Sequence, residues 1–430
     1  MNESGLNNIY KLFLESNGVS TDTRSIRPND IFFALKGPNF NANQLADEAI
    51  AKRTLVAVID DQSYAIPGKT ILVDDVLETL QQLASFHRRQ LDIPVIALTG
   101  TNAKTITKEL IRAVLETRYR ITATEGNLNN HIGVPLTLLS IRDDTEIAVV
   151  EMGANHIGEI AFLCEIAAPT HGLITNIGKA HLEGFGNLEG VLRAKSELYQ
   201  YLLSHEGVVF INSGDPVLKN MSKRFKNPWF YPAAADYSHT KFKGADPMVR
   251  FSTENNTVFD TQLIGAYNFI NIAAAICVGK YFKIDPDVAG KAIETYVPVS
   301  LRSQVLVTGA NTIIMDAYNA NPESMKAAIL DFEHMKAPNK TVILGDMFEL
   351  GSYSREEHED LGKLLKTCNF DTIMLIGDEM AATNANVQDS VYFKTKSELE
   401  RYLESHPVTN STILIKASRG MALETVVKKL

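Results

Sequence analysis

The sequence predicts an α/β protein of three domains. Its 430 residues correspond to about three domains at roughly 150 residues per domain. Short apolar runs that suit buried strands recur along the chain, and segments with apolar residues at helical spacing separate them. Strands that alternate with helices indicate parallel sheets covered on both faces.

The composition is typical of a soluble globular protein. Hydrophobic residues make up 45% and charged residues 22% of the chain, which excludes disordered, coiled-coil and collagen-like proteins. The net charge of −9 argues against a general nucleic-acid binder. We expect no membrane-spanning helix and no signal peptide, because the first ten residues lack a basic segment and an apolar core. These features predict a cytoplasmic protein without nucleic-acid or membrane partners.

The cysteines indicate neither a disulfide framework nor a zinc site. There are three, Cys164, Cys277 and Cys368, and both the odd number and the wide spacing are wrong for such sites. We expect buried structural thiols.

The first predicted domain covers residues 1–85. Its strand-like runs are separated by short polar helices and occupy residues 30–37, 54–61 and 70–75. A helical stretch then leads to Pro94.

The second predicted domain covers residues 86–299. It opens with an apolar run at residues 94–100 that ends in glycine, and residues 104–118 carry apolar side chains at helical spacing. This pattern predicts a strand, a tight turn and a helix. Further strands are predicted at residues 146–153, 171–178 and 207–215.

The third predicted domain covers residues 300–430. Pro298 and a change of pattern near Ser300 indicate the boundary. Helical patterns separate four strand candidates, which predicts a smaller α/β domain. These strands occupy residues 311–317, 340–347, 371–378 and 411–418.

A short loop between the first strand and the first helix of the second domain is typical of a phosphate-binding loop. It consists of Gly100, Thr101, Asn102, Ala103, Lys104 and Thr105. Backbone N–H groups at a helix start attract phosphate, a lysine reaches the β/γ-phosphates, and a threonine hydroxyl binds Mg²⁺. The loop is shorter than the common form, and a plain strand–helix turn is the alternative.

Ala103 is an unusual residue for such a loop. Glycine normally precedes the lysine, because the backbone there has a positive φ. A β-carbon at such a position costs on the order of 1 kcal/mol and crowds the phosphate.

Further motifs follow the loop along the chain. They are EGNLNNHIGVPLTLL (125–139), EMGANHIGEI (151–160), TNIGKAHLEGFG (175–186), AKSELY (194–199), GAYNFINIAAA (265–275), DAYNANPESM (316–325), LGDMFELG (344–351) and KASRG (416–420). In order and spacing, these motifs and the loop resemble the Mur ligase family. The N-terminal segment STDTRSIRPNDIFFALKG (20–37) extends the resemblance over essentially the whole chain.

The resemblance implies a different role for each domain. An N-terminal α/β domain would hold a UDP-substrate, a central P-loop mononucleotide-binding parallel-sheet domain would hold ATP, and a C-terminal Rossmann-like domain would help bind the incoming amino component. The family joins a carboxylate to an amine with ATP and releases ADP and phosphate. DAYNANPESM and LGDMFELG are most similar to the member that adds D-alanyl-D-alanine to UDP-N-acetylmuramoyl-tripeptide. The resemblance also implies a monomer.

The resemblance further implies two Mg²⁺ sites beside ATP. Lys104 would contact the β/γ-phosphates, and Thr105 and Glu151 would bind the first Mg²⁺, since this ion prefers hard oxygen ligands. His181 would bind the second, although imidazole is an unusual Mg²⁺ ligand and the residue alone favours a structural histidine. Lys195 matches a family lysine that reacts with CO₂ to form a carbamate. That reaction needs a neutral amine with a depressed pKa, and an ordinary surface lysine is the alternative.

Three residues are implied in nucleotide binding. Asn268 would contact adenine, since an amide matches its donor and acceptor edge. Arg302 would reach the phosphates and Asp316 the ribose hydroxyls. Tyr267 and Leu301 stand where relatives usually have histidine and glycine.

Other implied contacts belong to the two substrates. Their alternatives are loops of turn-forming residues and a rigid Asn-Pro turn. They are Ser20, Thr21, Asp22 and Arg24 for the UDP group, Thr124, Asn127, Asn129 and Asn130 for the peptide, and Tyr318, Asn319, Asn321 and Arg419 for D-alanyl-D-alanine.

Two other functions stay open at the level of sequence. One is another ligase of the superfamily, such as a folylpolyglutamate synthase or the enzyme that adds the third peptide residue. The other is a nucleotide-binding protein with impaired catalysis. Ala103 is the main support for the second, together with Ile106 where relatives often have threonine.

Overall fold

A computed structural model describes residues 3–298 and 304–430. The predicted phosphate contact Arg302 and the predicted boundary at residues 299/300 lie outside these residues.

The N-terminal part contains a parallel four-stranded sheet of order β1-β2-β5-β6. All four residues of its central strand β2 are buried. The three predicted strands are confirmed, whereas β1 was missed because three residues are too few for a pattern. The elements are α1 (Glu3–Glu15), β1 (Gly18–Ser20), β2 (Asp30–Phe33), β3 (Lys36–Gly37), β4 (Phe40–Asn41), α2 (Ala46–Ala51), β5 (Val56–Ile59) and β6 (Thr70–Leu72).

Helix α3 (Val76–Arg89) joins this part to the next. The Asp75 side chain caps its first turn by accepting from the Glu78 N–H at 2.7 Å. Arg88 near its other end donates to the Ala167 carbonyl at 3.0 Å. The predicted boundary after residue 85 falls inside this continuous helix and stays a prediction.

The central part contains a parallel six-stranded sheet of order β12-β11-β10-β7-β9-β8. Its predicted strands are confirmed, and the short strands β8 and β12 at its edges were not predicted. The elements are β7 (Val95–Thr99), α4 (Lys104–Leu115), β8 (Ile121–Ala123), α5 (Gly133–Leu139), β9 (Ile147–Glu151), α6 (Glu159–Ala167), β10 (His171–Ile174), α7 (Leu182–Phe185), α8 (Leu188–Ser204), β11 (Val208–Asn212), α9 (Pro216–Ser222) and β12 (Trp229–Tyr231).

An antiparallel three-stranded sheet follows, which the sequence did not predict. Its last strand alternates buried and exposed residues, so one face packs on the core and the other meets solvent. Our prediction relied on continuous apolar runs and overlooked this alternation. The elements are β13 (Lys241–Ala245), β14 (Met248–Ser252), β15 (Val258–Ile264), α10 (Asn268–Tyr281) and α11 (Pro286–Thr295).

The C-terminal part has a six-stranded sheet of order β16-β17-β21-β18-β19-β20. All its pairings are parallel except that of β16 with β17. The four predicted strands are the central ones, and both edge strands were missed. The elements are β16 (Gln304–Thr308), β17 (Asn311–Asp316), α12 (Pro322–His334), β18 (Lys340–Gly345), α13 (Ser354–Leu365), β19 (Thr372–Ile376), α14 (Met380–Asn384), β20 (Ser390–Phe393), α15 (Lys396–Ser405) and β21 (Thr412–Lys416).

Two general expectations can be compared with this fold. The three cysteines are free thiols; Cys164 and Cys277 are buried and Cys368 is partly buried. Within the two described ranges, no helix combines the length and apolar character that a membrane crossing requires.

Candidate active site

A cleft of about 750 Å³ lies between the central and C-terminal sheets. The carboxyl ends of β7, β9 and β10 open into it, as expected for ligand sites of parallel sheets. The residues of the sequence prediction that line it are Thr101, Asn102, Ala103, Lys104, Asn127, Asn129, Asn130, Glu151, His181, Asn268, Asp316, Tyr318 and Asn319.

The phosphate loop is held against the segment that follows β10. Gly100 has φ +148°, and a β-carbon there would lie 1.9 Å from the Thr175 hydroxyl, so only glycine fits. Thr101 Oγ1 accepts from the Gly178 N–H at 2.9 Å, and the Asn102 N–H donates to Asn176 Oδ1 at 2.9 Å. The loop therefore has a fixed shape before any nucleotide binds.

Ala103 has the conformation that makes it an unfavourable residue. Its φ is 64° and its ψ is 10°, in the left-handed region, immediately before α4. The sequence-based expectation of a positive φ is confirmed. The methyl group costs on the order of 1 kcal/mol relative to a relaxed backbone.

Lys104 and Thr105 begin α4 at the bottom of the cleft. Lys104 Nζ donates to the carbonyls of Gly100 and Thr101, at 2.8 and 3.1 Å. Its charge therefore stays over the loop, where the phosphates would lie. Thr105 Oγ1 lies 3.1 Å from Glu151 Oε1 at the end of β9.

The Glu151 carboxylate is suited to a divalent cation. Asn129 Nδ2 donates to its Oε1 at 2.7 Å, while Oε2 is buried without a hydrogen-bond partner among the described residues. A buried carboxylate oxygen without a partner is costly, and a cation would satisfy it. Together with the Thr105 hydroxyl it offers the hard oxygen ligands that Mg²⁺ prefers.

Lys195 on α8 is buried, which excludes the surface-lysine alternative. Burial, and secondly the charge of Lys104, lower the pKa of its amine to about 7. Nζ donates to the Ala154 carbonyl at 3.3 Å and lies 5.1 Å from the centre of the Phe185 ring. The amine is therefore substantially neutral near neutral pH.

His181 lies at the start of α7 and lines the cleft. Its Nδ1 forms an ion pair with the Glu349 carboxylate, although the contact lacks ordinary hydrogen-bond geometry. Among residues 3–298 and 304–430, no three side chains of the His, Cys, Asp and Glu types form a ready-made metal cluster. A second metal at His181 would thus need ligands of other kinds.

Asn268 begins α10 and is already hydrogen-bonded within the protein. Its Nδ2 donates to the Ile264 carbonyl at 2.7 Å, and its Oδ1 accepts from Asn271 Nδ2 at 2.9 Å. Asn271 in turn accepts from the Thr107 hydroxyl on α4 at 3.2 Å. The Asn268 amide keeps one further N–H and one lone pair, so adenine would find an oriented partner.

Asp316 and Lys416 form a buried pair on the C-terminal side of the cleft. Lys416 Nζ lies 2.5 Å from Asp316 Oδ2 and 3.3 Å from the Asn319 carbonyl. The lysine is buried, and both residues line the cleft. The pair was not predicted from the sequence.

Two residues with predicted substrate contacts lie outside the cleft lining. The Thr124 side chain is buried and accepts from the Glu151 N–H at 3.0 Å, so it supports the strand end. Arg419 pairs with Glu424 at 2.9 Å.

The predicted UDP contacts form a separate cluster outside the cleft lining. Asp22 caps a short helical turn by accepting from the Arg24 N–H at 2.9 Å. The same arginine's side-chain hydrogen bonds lower the pKa of Asp22 to about 2. The Ser20 hydroxyl donates to the Asp22 carbonyl at 2.9 Å, and Thr21 lies between them in the chain.

Sequence reasoning missed several residues of the cleft. Asn176 lies just beyond the end of β10 and Asp215 just beyond the end of β11, so their position after strand ends was the available signal. Glu323 lies inside the DAYNANPESM motif and lines the cleft. Burial raises the pKa of its carboxyl.

The comparisons with known proteins agree with this geometry. A profile of the Mur ligase middle domain matches residues 98–279, and one of the Mur ligase, glutamate ligase domain, matches residues 301–419. UDP-N-acetylmuramoyl-tripeptide--D-alanyl-D-alanine ligase of Bacillus subtilis (strain 168) is 36% identical over 96% of this chain and 93% of the relative. The chain belongs to the Mur ligase family.

Other members of the Mur ligase family support this result. The ligase of the same name from Escherichia coli (strain K12) is 33% identical over 96% of this chain and 93% of its own. The crystal structure of MurF from Acinetobacter baumannii superposes with a TM-score of 0.85 at 30% identity, covering 96% of this chain and 92% of that one. MurF ligase from Thermotoga maritima in complex with ADP gives 0.83 at 26% identity, covering 97% of each. The α/β fold predicted from the sequence is thereby confirmed.

Proposed function

We propose that the protein joins D-alanyl-D-alanine to UDP-N-acetylmuramoyl-tripeptide with ATP, as an ADP-forming ligase of peptidoglycan precursor synthesis. The observation that carries the proposal is the cleft itself. The phosphate loop and Glu151 line it on one side, and residues of the DAYNANPESM segment line it on the other. Thr105 contacts Glu151, and the buried Lys195 donates to the carbonyl of Ala154, which also lines the cleft. The names of the relatives agree with this substrate pair.

The chemistry requires activation of a carboxylate. A peptide carboxylate oxygen attacks the γ-phosphorus of ATP, the bond to the β-phosphate oxygen breaks, and ADP leaves. The amine of the dipeptide then attacks the acyl carbon, and phosphate leaves as the amide forms. The protein mainly aligns the reactants and neutralises charge.

Lys104 supplies the most direct electrostatic contribution. Its ammonium lies over the loop carbonyls at 2.8 and 3.1 Å and moves to the β/γ-phosphates when they bind. There it offsets charge that develops as the γ-phosphoryl group is transferred.

Thr105 and Glu151 would hold one Mg²⁺ ion, with Asn129 fixing the carboxylate. The unpartnered Glu151 Oε2 supports this assignment. When bound, the ion neutralises phosphate charge.

Lys195 would act after carbamylation. Its neutral Nζ attacks the carbon of CO₂, an N–C bond forms, and the amine proton is lost to solvent. The resulting carboxylate-like group would bind a second Mg²⁺ together with His181. The burial of Lys195 and its lowered pKa support this proposal.

The remaining predicted residues would contact the nucleotide, the peptide, the dipeptide or the UDP group. Asn268 would read adenine, Asp316 would accept from the ribose hydroxyls, and Arg302 would reach the phosphates. The amides of Asn127, Asn129 and Asn130 would meet the peptide, and Tyr318, Asn319 and Asn321 the dipeptide. The Ser20–Arg24 cluster would hold the UDP group, and the enzyme would act as a monomer.

Product analysis tests the substrate assignment. The protein, ATP and Mg²⁺ are incubated with UDP-N-acetylmuramoyl-tripeptide and an equimolar mixture of D-alanyl-D-alanine, L-glutamate and diaminopimelate. We expect mass spectrometry to find only the dipeptide adduct. Addition of a single amino acid would assign the chain to another activity of the family.

A further inference from the structure

Three carboxylates of the C-terminal part converge on the short loop 178–181 of the central part. Glu323 Oε1 accepts from the Lys179 N–H at 2.9 Å. Glu357 pairs with Lys179 Nζ at 2.5 Å, and Glu349 pairs with His181 Nδ1. We call these three contacts the carboxylate clasp.

Loop 178–181 fits closely against the C-terminal part. A β-carbon on Gly178 would lie 1.5 Å from Glu323 Oε2, so a larger residue at position 178 would displace the glutamate carboxylate from its observed position. The Glu183 N–H, just beyond the loop, donates to the Glu349 carbonyl at 3.1 Å. The close fit on both sides indicates a specific docking of the two parts.

His181 and Glu349 both have left-handed backbones. Their φ values are 51° and 63°, in a region that is unfavourable for a residue with a β-carbon. Such strain persists only where the surroundings hold it, and it concentrates at functional sites. Both strained residues belong to one contact, the His181–Glu349 pair. We take this as support for a functional role of the pair.

The Glu349 loop is fixed from behind by the KASRG motif. Ser418 Oγ accepts from the Phe348 N–H at 2.8 Å, and the Ser418 N–H donates to the Asp346 carbonyl at 3.1 Å. The Met347 N–H donates to His358 Nε2 at 3.2 Å. The loop therefore presents the Glu349 carboxylate from a rigid base.

We propose that Glu349 is a positioning residue that acts through His181. The charge of its carboxylate beside Nδ1 favours the tautomer that carries the proton there, and it leaves Nε2 as the lone-pair nitrogen of a ring that lines the cleft. The Nδ1 atom itself is buried, so the exposed part of the ring, about a fifth of the side chain, lies elsewhere. Carboxylates fix the tautomer and orientation of functional histidines in this way.

Because Glu349 belongs to the C-terminal part, the orientation of His181 depends on docking of the two parts. The central part holds the phosphate loop by itself. His181 gains its carboxylate partner only when the two parts dock and the clasp forms. The inference rests on the proposed function in one respect, namely that His181 serves the reaction.

The test compares two isosteric variants of the full-length protein. Glu349→Gln removes the charge that faces His181, and Glu357→Gln removes a clasp carboxylate that pairs with Lys179 instead. Selective ¹⁵N-histidine labelling reports the tautomer of His181, assigned through a His181→Gln variant, without any turnover. We expect protonated Nδ1 in the wild type and in Glu357→Gln, and a mixed or reversed tautomer in Glu349→Gln.

Kinetics supply the second arm. We expect Glu349→Gln to lower kcat by about 10- to 100-fold, with the KM for D-alanyl-D-alanine little changed, and Glu357→Gln to lower it by less than about threefold. In a His181→Gln background, Glu349→Gln should cost nothing further, because it acts through the histidine.

Each arm has a result that overturns the proposal. If His181 keeps the same tautomer in folded Glu349→Gln, the proposal is wrong, whatever the activity of that variant. Equal losses in Glu349→Gln and Glu357→Gln, or an undiminished loss in the His181→Gln background, would reduce Glu349 to a docking contact. A changed tautomer in a protein without ligase turnover would instead refute the proposed function and leave the contact standing.

Discussion

Thr105 Oγ1 at the start of α4 lies 3.1 Å from Glu151 Oε1 at the end of β9. The two residues are 46 positions apart in sequence, and the parallel sheet brings them to one edge. Asn129 binds the same carboxylate oxygen at 2.7 Å, so the second oxygen is left buried and without a partner in the described chain. The site therefore contains a buried carboxylate oxygen that no hydrogen bond from the described residues satisfies.

Replacing Glu151 should lower the activity without lowering the free energy of unfolding. Glu151→Gln keeps the shape but removes the charge, and we expect a loss on the order of 100-fold in kcat/KM for ATP. The free energy of unfolding of the apoprotein should stay level or rise, because an unpaired buried charge is removed. Steady-state kinetics and urea denaturation measure both. A destabilised variant, or one with unchanged kcat/KM, would contradict the proposed metal site.

The strain at Ala103 predicts an unusual response to glycine. Ala103→Gly relieves about 1 kcal/mol of left-handed strain, while the freer unfolded chain offsets about 0.4–1 kcal/mol. The free energy of unfolding should therefore not fall, and the KM for ATP should decrease. Ala113→Gly, inside the same helix, is the matched control and should cost about 1 kcal/mol. Equal destabilisation by the two substitutions would show that residue 103 is unstrained.

Lys195 should make stability depend on pH. Its pKa falls from 10.5 to about 7 on folding, so between these values the unfolded chain binds a proton that the folded protein has lost. The free energy of unfolding should then rise with pH across this window. Lys195→Met lacks this effect, and its stability relative to wild type should be greatest at pH 7 and shrink towards pH 10.

Urea denaturation in CO₂-free buffer at several pH values measures this difference. The exposed Lys219→Met is the control and should shift stability little, and by the same amount at every pH. A Lys195→Met advantage that does not change with pH would mean that the amine keeps an ordinary pKa.

Asn102 and Asn321 link the phosphate loop to α12. Asn321 Nδ2 donates to Asn102 Oδ1 at 2.7 Å, and its Oδ1 also accepts from the Ser324 N–H at 2.9 Å. Asn321→Asp keeps the helix cap but loses the donor to Asn102, so we expect a higher KM for ATP without loss of stability. Asn321→Ala should raise the KM and also cost about 1 kcal/mol. Asn321→Asp still accepts from Asn102 Nδ2, which lies 3.4 Å from Oδ1, so its KM should rise less than that of Asn321→Ala. An unchanged KM for ATP in both variants would show that the amide link does not govern nucleotide binding.

The sequence predicted those features that depend on local pattern. Apolar runs that end in polar residues located β7, β9 and β10, and hence Thr105, Glu151 and the loop. The usual glycine before the lysine of a phosphate loop also predicted the positive φ of Ala103. These inferences succeed because strand ends and helix starts of a parallel sheet share one edge.

Features that depend on packing between distant segments could not be predicted. The family resemblance implies a peptide contact for Thr124, but its buried hydroxyl accepts from the N–H of Glu151. Arg419 turns to Glu424, and Glu349 reaches His181 only through the docking of two parts. Sequence periodicity does not predict such contacts between distant segments of the chain.

Phosphate release tests the central claim most directly. The protein is given ATP, Mg²⁺ and UDP-N-acetylmuramoyl-tripeptide, with and without D-alanyl-D-alanine, and Ala103→Gly is measured beside it. We predict release that depends on D-alanyl-D-alanine in both proteins and is faster at low ATP in Ala103→Gly. Release only in Ala103→Gly would mark the natural chain as catalytically impaired. No dipeptide-dependent release from either protein would contradict the account and leave a nucleotide-binding protein of the same fold.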